Sequence, residues 1–148
     1  MKSNPDLRYQ KLIEKLQKRG SRLTSHRLAL ARLLSVSENH PNAAQLYEKL
    51  RAQFPTVSLA TIYKTLGLLK DEGEILEIDL HDDSRYDGAK PFPHPHLICN
   101  RCDAIIDGDD AQTLNELNKE IEAKYGFQII RPQLIFYGIC KDCIAKGI

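Results

Sequence analysis

No stretch of the sequence stays apolar for the roughly 20 residues a membrane-spanning helix needs, and the opening MKSNPDLRYQ lacks the apolar segment of a secretory signal. A cytoplasmic protein is expected. Glycine is scarce, at 8 of 148 residues, and there is neither a glycine-rich cosubstrate loop nor a large barrel to enclose a substrate. An enzyme is therefore not expected. Only four cysteines occur, none of them outside two Cys-x-x-Cys pairs. In a reducing compartment that arrangement favours zinc over disulfides. A thiol–disulfide oxidoreductase would place a single pair at a helix start in a βαβ unit, and two pairs with a strand-rich interval argue against it.

A net charge of +1 conceals a division by half. Residues 1–70 carry 13 Lys and Arg against 4 Asp and Glu, whereas residues 71–148 carry 8 against 16. One half is suited to a polyanion and the other to cations.

Four helices are expected in the basic half. Tyr9, Leu12, Ile13 and Leu16 recur at helical spacing from about Asp6 to Arg19, with Gly20 closing the segment. Thr24 caps a second helix carrying Leu30, Leu33 and Leu34. Asn42 with Gln45 resembles a capping box for a third, and Ser58 caps a fourth with Leu59, Ile62, Leu66 and Leu69 inward. Leu76 to Asp87 alternates around a turn at His81-Asp82-Asp83-Ser84, so a small hairpin follows and the whole reads as a winged helix-turn-helix. Its fourth helix offers Ser58, Thr61, Lys64 and Thr65, with Tyr63 at the flank, to phosphates and thymine methyls. Arg22 and Arg27 are candidate backbone contacts.

Gly88 to Pro93 contains two prolines and reads as a linker. The expected architecture is α+β: a winged-helix DNA-binding domain over 1–87, a linker at 88–93, and a dimerisation and metal-binding domain over 94–148. That last domain holds a strand from His94, a return strand to Asp107, a helix from about Asp109 to Tyr125, and a strand from Phe127 to Ile139 with Pro132 marking an edge. The helix stripe of Leu114, Leu117 and Ile121 is read as internal core. Few large apolar residues remain for a domain of this size, which points to a homodimer formed through the sheet.

Two metal sites are expected. Cys99 and Cys102 with Cys140 and Cys143 have structural-zinc spacing, and the ion would pin the last strand to the middle of the sheet. His94 and His96 share a strand face, and the return strand brings Asp107 towards them. If His40 and Asp87 join these three, one ion clamps the two domains, and its three nitrogens and two oxygens suit Fe(II) or Mn(II) better than Zn(II). His26 and His81 are read as surface or capping residues.

Thr24-Ser25-His26-Arg27, His40-Pro41, Ser58 to Tyr63, Arg85-Tyr86-Asp87, the run from His94 to Cys102, Ile106-Asp107 and Tyr137 to Cys143 together resemble the ferric uptake regulator family. The resemblance implies dimeric metal-responsive repressors of operator DNA. It assigns structural Zn(2+) to the four cysteines, regulatory Fe(2+) or Mn(2+) to His40, Asp87, His94, His96 and Asp107, and operator contact to Tyr63 and its neighbours. Within the family the peroxide-sensing branch is most similar, because it carries Asp where Asp107 stands and lacks the additional site that Pro95 and Pro132 preclude here. Hydrogen peroxide is then the implied signal, acting through iron-catalysed oxidation of His40 or His94. The competing readings are an Fe-, Mn- or Zn-responsive repressor without peroxide sensing, and a non-haem iron enzyme built on a His94, His96 and carboxylate triad.

Overall fold

The computed structural model describes residues 4–37, 39–80, 83–89 and 92–147. The chain separates into two compact units, residues 1–91 and 92–148. No helix among the described residues is long and apolar enough to cross a membrane.

The first unit is four helices and a hairpin: α1 (Pro5–Lys18), α2 (Ser25–Val36), α3 (Ala43–Gln53), α4 (Leu59–Asp71), β1 (Leu76–Leu80) and β2 (Asp83–Asp87). Each helix begins where a short polar side chain satisfies otherwise unpaired amides. Asn4 accepts from the amides of Asp6 and Leu7, with Pro5 opening the helix. Thr24 accepts from Arg27 N, and Ser58 from Thr61 N. Asn42 and Gln45 form the expected capping box, each side chain bonding the other's backbone.

Leu12, Leu16, Leu30, Leu34, Leu46, Ile62, Leu66 and Leu69 are all buried in the core between these helices. Each contributes about 1.5–3 kcal/mol of burial, so the unit has a core of its own. Leu59 is the exception to the inward reading of α4. It occupies the first helical position and is 41% exposed.

β1 and β2 pair antiparallel with Leu76 opposite Asp87 and Leu80 opposite Asp83. His81 and two residues of the expected linker, Lys90 and Pro91, lie outside the described residues. Gly88 and Ala89 depart from the linker reading, because both are buried. A Cβ placed on Gly88 would stand 2.8 Å from Leu34 Cβ and 2.9 Å from Leu34 O on α2.

The second unit contains β3 (His96–Cys99), β4 (Ile105–Asp107), α5 (Ala111–Tyr125), β5 (Ile135–Gly138) and α6 (Lys141–Ala145). Its sheet runs β4-β3-β5, with β4 antiparallel and β5 parallel to the central β3. The histidine strand therefore starts at His96, two residues later than the sequence suggested. The last strand is four residues long rather than thirteen, beginning at Ile135 beyond Pro132, whose ring leaves no N–H to give a ladder, and α6 was not foreseen.

Among the described residues of this unit, the buried apolar side chains are Pro95, Ile98, Cys99, Leu114 and Cys143. The stripe on α5 is not closed core: only Leu114 is buried, while Leu117 is 40% exposed.

Candidate metal centre

The four cysteines converge because β5 lies beside β3. Gly138 stands opposite Cys99 in the parallel register, and Asn100 N donates to Gly138 O at 2.8 Å. The strand end carrying Cys99 is thus level with the start of α6, which Cys140 precedes and Cys143 joins in its first turn. On the other side the chain turns tightly, with Asp103 N donating to Cys99 O, Cys99 N donating to Ala104 O, and Asp103 at φ 59°.

The sulfurs of Cys99 and Cys143 are 3.8 Å apart, those of Cys102 and Cys140 3.7 Å, and all four lie within 4.8 Å of one another. None is in a disulfide. A tetrahedron of sulfurs about 2.3 Å from a central zinc has edges of about 3.8 Å, so the donor set fits Zn(II).

The thiols are not equivalent. Backbone N–H groups of Cys140 and Cys102, with a further one from Arg101, hold the Cys99 thiol down to about 6. Burial, with the neighbouring sulfurs adding to it, pushes Cys143 up to about 12. The cluster therefore holds Cys99 as a ready thiolate, whereas Cys143 gives up its proton only to a bound cation.

A second group of donors lies at the opposite end of β3. Asp107 is the register partner of His96, and its Oδ1 is 3.2 Å from His96 Nε2 and 3.1 Å from His94 Nε2. Both imidazoles are buried. His94 Nδ1 lies 2.8 Å from Phe92 O, and since a carbonyl only accepts, Nδ1 carries the proton. In the neutral ring Nε2 then presents its lone pair to the carboxylate. Two lone pairs at that distance call for a proton or a cation between them, and an outer hydrogen bond that fixes the tautomer is how metal-binding imidazoles are commonly oriented.

The first unit carries its own imidazole–carboxylate pair. Asp87 ends β2, and its Oδ2 is 3.3 Å from Nε2 of His40, which sits on the loop before α3. Asp87 Oδ1 also accepts from Ala89 N. Both side chains are buried. A His/Asp pair buried away from water, like the second unit's group of two histidines and one aspartate, supplies nitrogen and oxygen donors suited to Fe(II) or Mn(II).

The expected DNA face divides. Tyr63 is 54% exposed and Lys64 is exposed beside it on α4. Ser58 is exposed, but its hydroxyl caps the helix and lies 2.8 Å from Thr61 Oγ1. Thr61 is half-buried, Arg22 is exposed, and Arg27 is half-buried with Nη1 donating to Arg22 O at 2.8 Å. Thr65 is corrected: its side chain is fully buried, and its hydroxyl donates to Thr61 O at 2.8 Å. It lies on the same stripe as Ile62, Leu66 and Leu69, so it belongs to the core. Leu59 and Ala60, at the start of α4, are also exposed. His26 packs edge-on against Phe54, ring centroids 5.0 Å apart.

A profile of the ferric uptake regulator family matches residues 18–137. The chain belongs to the ferric uptake regulator family. It is a metal-responsive regulator of that family, a winged helix followed by an α/β domain with a four-cysteine site. The peroxide-responsive repressor PerR of Staphylococcus epidermidis is 35% identical over 135 residues, covering 91% of this chain and 89% of that protein. Among solved structures, the Campylobacter jejuni peroxide stress regulator shares 29% identity at a TM-score of 0.70, covering 90% of this chain and 97% of its own. The Helicobacter pylori ferric uptake regulator superposes with a TM-score of 0.78 over 97% of both chains, and at 24% identity that likeness concerns the fold.

Proposed function

We propose that this regulator is a metal-dependent transcriptional repressor that binds operator DNA as a homodimer and responds to hydrogen peroxide. Residues 1–87 read the DNA, through Tyr63, Lys64 and Thr61 on α4, Ser58 at its N-cap, Arg27 on α2 and Arg22 before it. Residues 94–148 dimerise and bind metal. Cys99, Cys102, Cys140 and Cys143 hold a structural zinc. His40 and Asp87 complete a five-donor site with His94, His96 and Asp107 on one Fe(II) or Mn(II), so that metal occupancy sets how the DNA-reading units are aimed.

The observation that carries this reading is the Asp107 carboxylate, with one oxygen 3.1 and 3.2 Å from two buried imidazole nitrogens. A carboxylate oxygen set between two imidazole nitrogens supports a cation site there. The peroxide assignment is supported by similarity to peroxide-responsive relatives.

Fe(II), when bound, would lend the electrons that split peroxide next to its ligands and recover them from the ring that is oxidised, whereas Mn(II) reacts with peroxide far less readily. At His40 or His94 the net change is one oxygen atom gained by the ring carbon from hydrogen peroxide, with the other oxygen leaving as water. An oxidised ring is a poorer ligand, the site loosens, and the operator is released. The chain's own part is to hold the imidazoles dry, in one tautomer, and in contact with the ion.

The test loads the purified protein with Fe(II) or Mn(II), adds hydrogen peroxide, and follows operator binding together with the masses of peptides containing His40 and His94. Addition of one oxygen with iron only, accompanied by DNA release, supports the reading. Unmodified peptides and retained DNA leave an Fe-, Mn- or Zn-responsive repressor that does not sense peroxide.

A further inference from the structure

His40 sits at φ 49°, in the left-handed region where a residue with a Cβ is strained. Its own neighbours do not favour that geometry. Pro41 follows it, and a proline biases the residue before it towards extended backbone. The loop must therefore be held from outside, and β2 holds it. Arg85 Nε donates to His40 O, Arg85 Nη2 donates to Asn39 O at 2.9 Å, and Tyr86 N donates to Pro41 O at 2.9 Å. Arg85 and Asp87 are two residues apart on one strand and so share a face. That face grips the loop twice, at its backbone through the guanidinium and at its imidazole through the carboxylate 3.3 Å from His40 Nε2.

We propose that Arg85 is a positioning residue of the regulatory metal site. Its planar fork spans two successive carbonyls and keeps His40 in the left-handed conformation that aims Nε2 at Asp87. Without the fork the backbone at residue 40 relaxes to ordinary φ, and the imidazole swings off the carboxylate. Lysine cannot substitute, because a single ammonium offers no rigid pair of donors and its charge alone sets no backbone angle. The inference rests on the reading above that His40 and Asp87 are ligands of the regulatory ion.

The experiment compares zinc-loaded full-length wild type, R85K, R85A and H40A. Mn(II) affinity is read by paramagnetic resonance, zinc content by elemental analysis, and amide hydrogen exchange in protein free of manganese and iron. The expected result is a 10- to 100-fold loss of Mn(II) affinity in both Arg85 variants, the range for groups that orient a ligand. Zinc content should stay at the wild-type level, and the amides of Asn39, His40 and Asn42 should exchange at least about tenfold faster while those of α4 do not.

Wild-type Mn(II) affinity in R85K, with affinity lost in H40A, overturns the role of Arg85 and leaves the ligand assignment intact. Wild-type affinity in H40A overturns the ligand assignment, and the proposal with it. Equal acceleration of loop and α4 amides shows Arg85 to be a general fold residue, which also overturns the proposal.

Discussion

Asp107 stands directly opposite His96 across the antiparallel β3–β4 pair, and its Oδ1 lies 3.2 Å from the His96 Nε2. Paired residues on neighbouring strands project to the same face, so the register alone delivers the carboxylate to the imidazole. A one-residue slip would send Asp107 to the other face. The juxtaposition of Asp107 with His96 is in this sense written into the pairing of two short strands.

Asp107→Asn keeps the shape and the register but removes the charge. Mn(II) affinity should fall by more than the 10- to 100-fold typical of outer-shell changes, with zinc content unaltered. Equilibrium titration alongside elemental analysis checks both halves of this expectation.

Cys143→Ser should cost the second unit its fold. With Pro95, Ile98, Cys99, Leu114 and Cys143 as its buried apolar side chains among the described residues, that unit lacks the core needed to stand on packing alone. A structural zinc contributes an apparent 10–16 kcal/mol in small zinc domains, against a typical domain stability of about 5–15 kcal/mol. Amide exchange of the full chain should show residues 92–147 unprotected while α1–α4 stay protected.

Zinc uptake should release fewer protons than the four thiols present. Cys99, held down to about 6, is mostly thiolate at pH 7, whereas Cys143, pushed up to about 12, arrives protonated and must be deprotonated by the metal. A folded-state value below the ordinary thiol range means that the Cys99 thiolate is present above about pH 6 and is lost as the pH falls through it. Zinc affinity should therefore weaken steeply below that pH. Calorimetry in buffers of different ionisation enthalpy measures the proton count.

Lys64→Ala and Thr65→Val should separate binding from stability. Removing Lys64 should weaken operator binding and lower the slope of log affinity against log salt by about 1. Thr65→Val deletes a buried hydroxyl bonded to Thr61 O and should cost about 1 kcal/mol of stability while leaving DNA affinity unchanged. Salt-dependent binding curves and thermal melts read the two effects.

Gly88→Ala should destabilise the first unit by about 1–3 kcal/mol. The new methyl would meet Leu34 O, a backbone atom, at 2.9 Å, so the strain cannot be relieved by a rotamer change. The same push displaces Asp87, the residue before it, so Mn(II) affinity should fall together with the melting temperature.

The helix starts were legible because capping chemistry is local: Thr24, Asn42 and Ser58 announce their helices within three or four residues. The two cysteine pairs and the return from His96 to Asp107 were legible for a similar reason, since spacing and strand alternation are short-range properties. Thr65 was misplaced because polarity was allowed to outweigh its position between Ile62 and Leu69, where helical phase turns it inward. β5 was drawn too long because apolar residues at 127, 129 and 130 resemble a strand, yet pairing depends on how much of β3 is available, and β3 is four residues long. Arg85 was missed although alternation places it on the Asp87 face. What it holds, a positive φ at His40, is a tertiary feature with no signature in Asn39-His40-Pro41.

The parallel pairing of residues 96–99 with 135–138 also imposes an order of assembly. The hairpin of the first unit closes over a few neighbouring residues and can form as soon as it is synthesised, whereas β3 of the second unit, though β4 follows close behind on one edge, waits on its other edge for a partner nearly forty residues downstream. Until that partner arrives, Cys99 and Cys102 offer an ion only two of its four sulfurs. The four-helix unit is thus built first, and the four-cysteine cluster becomes complete only when the end of the chain has been made.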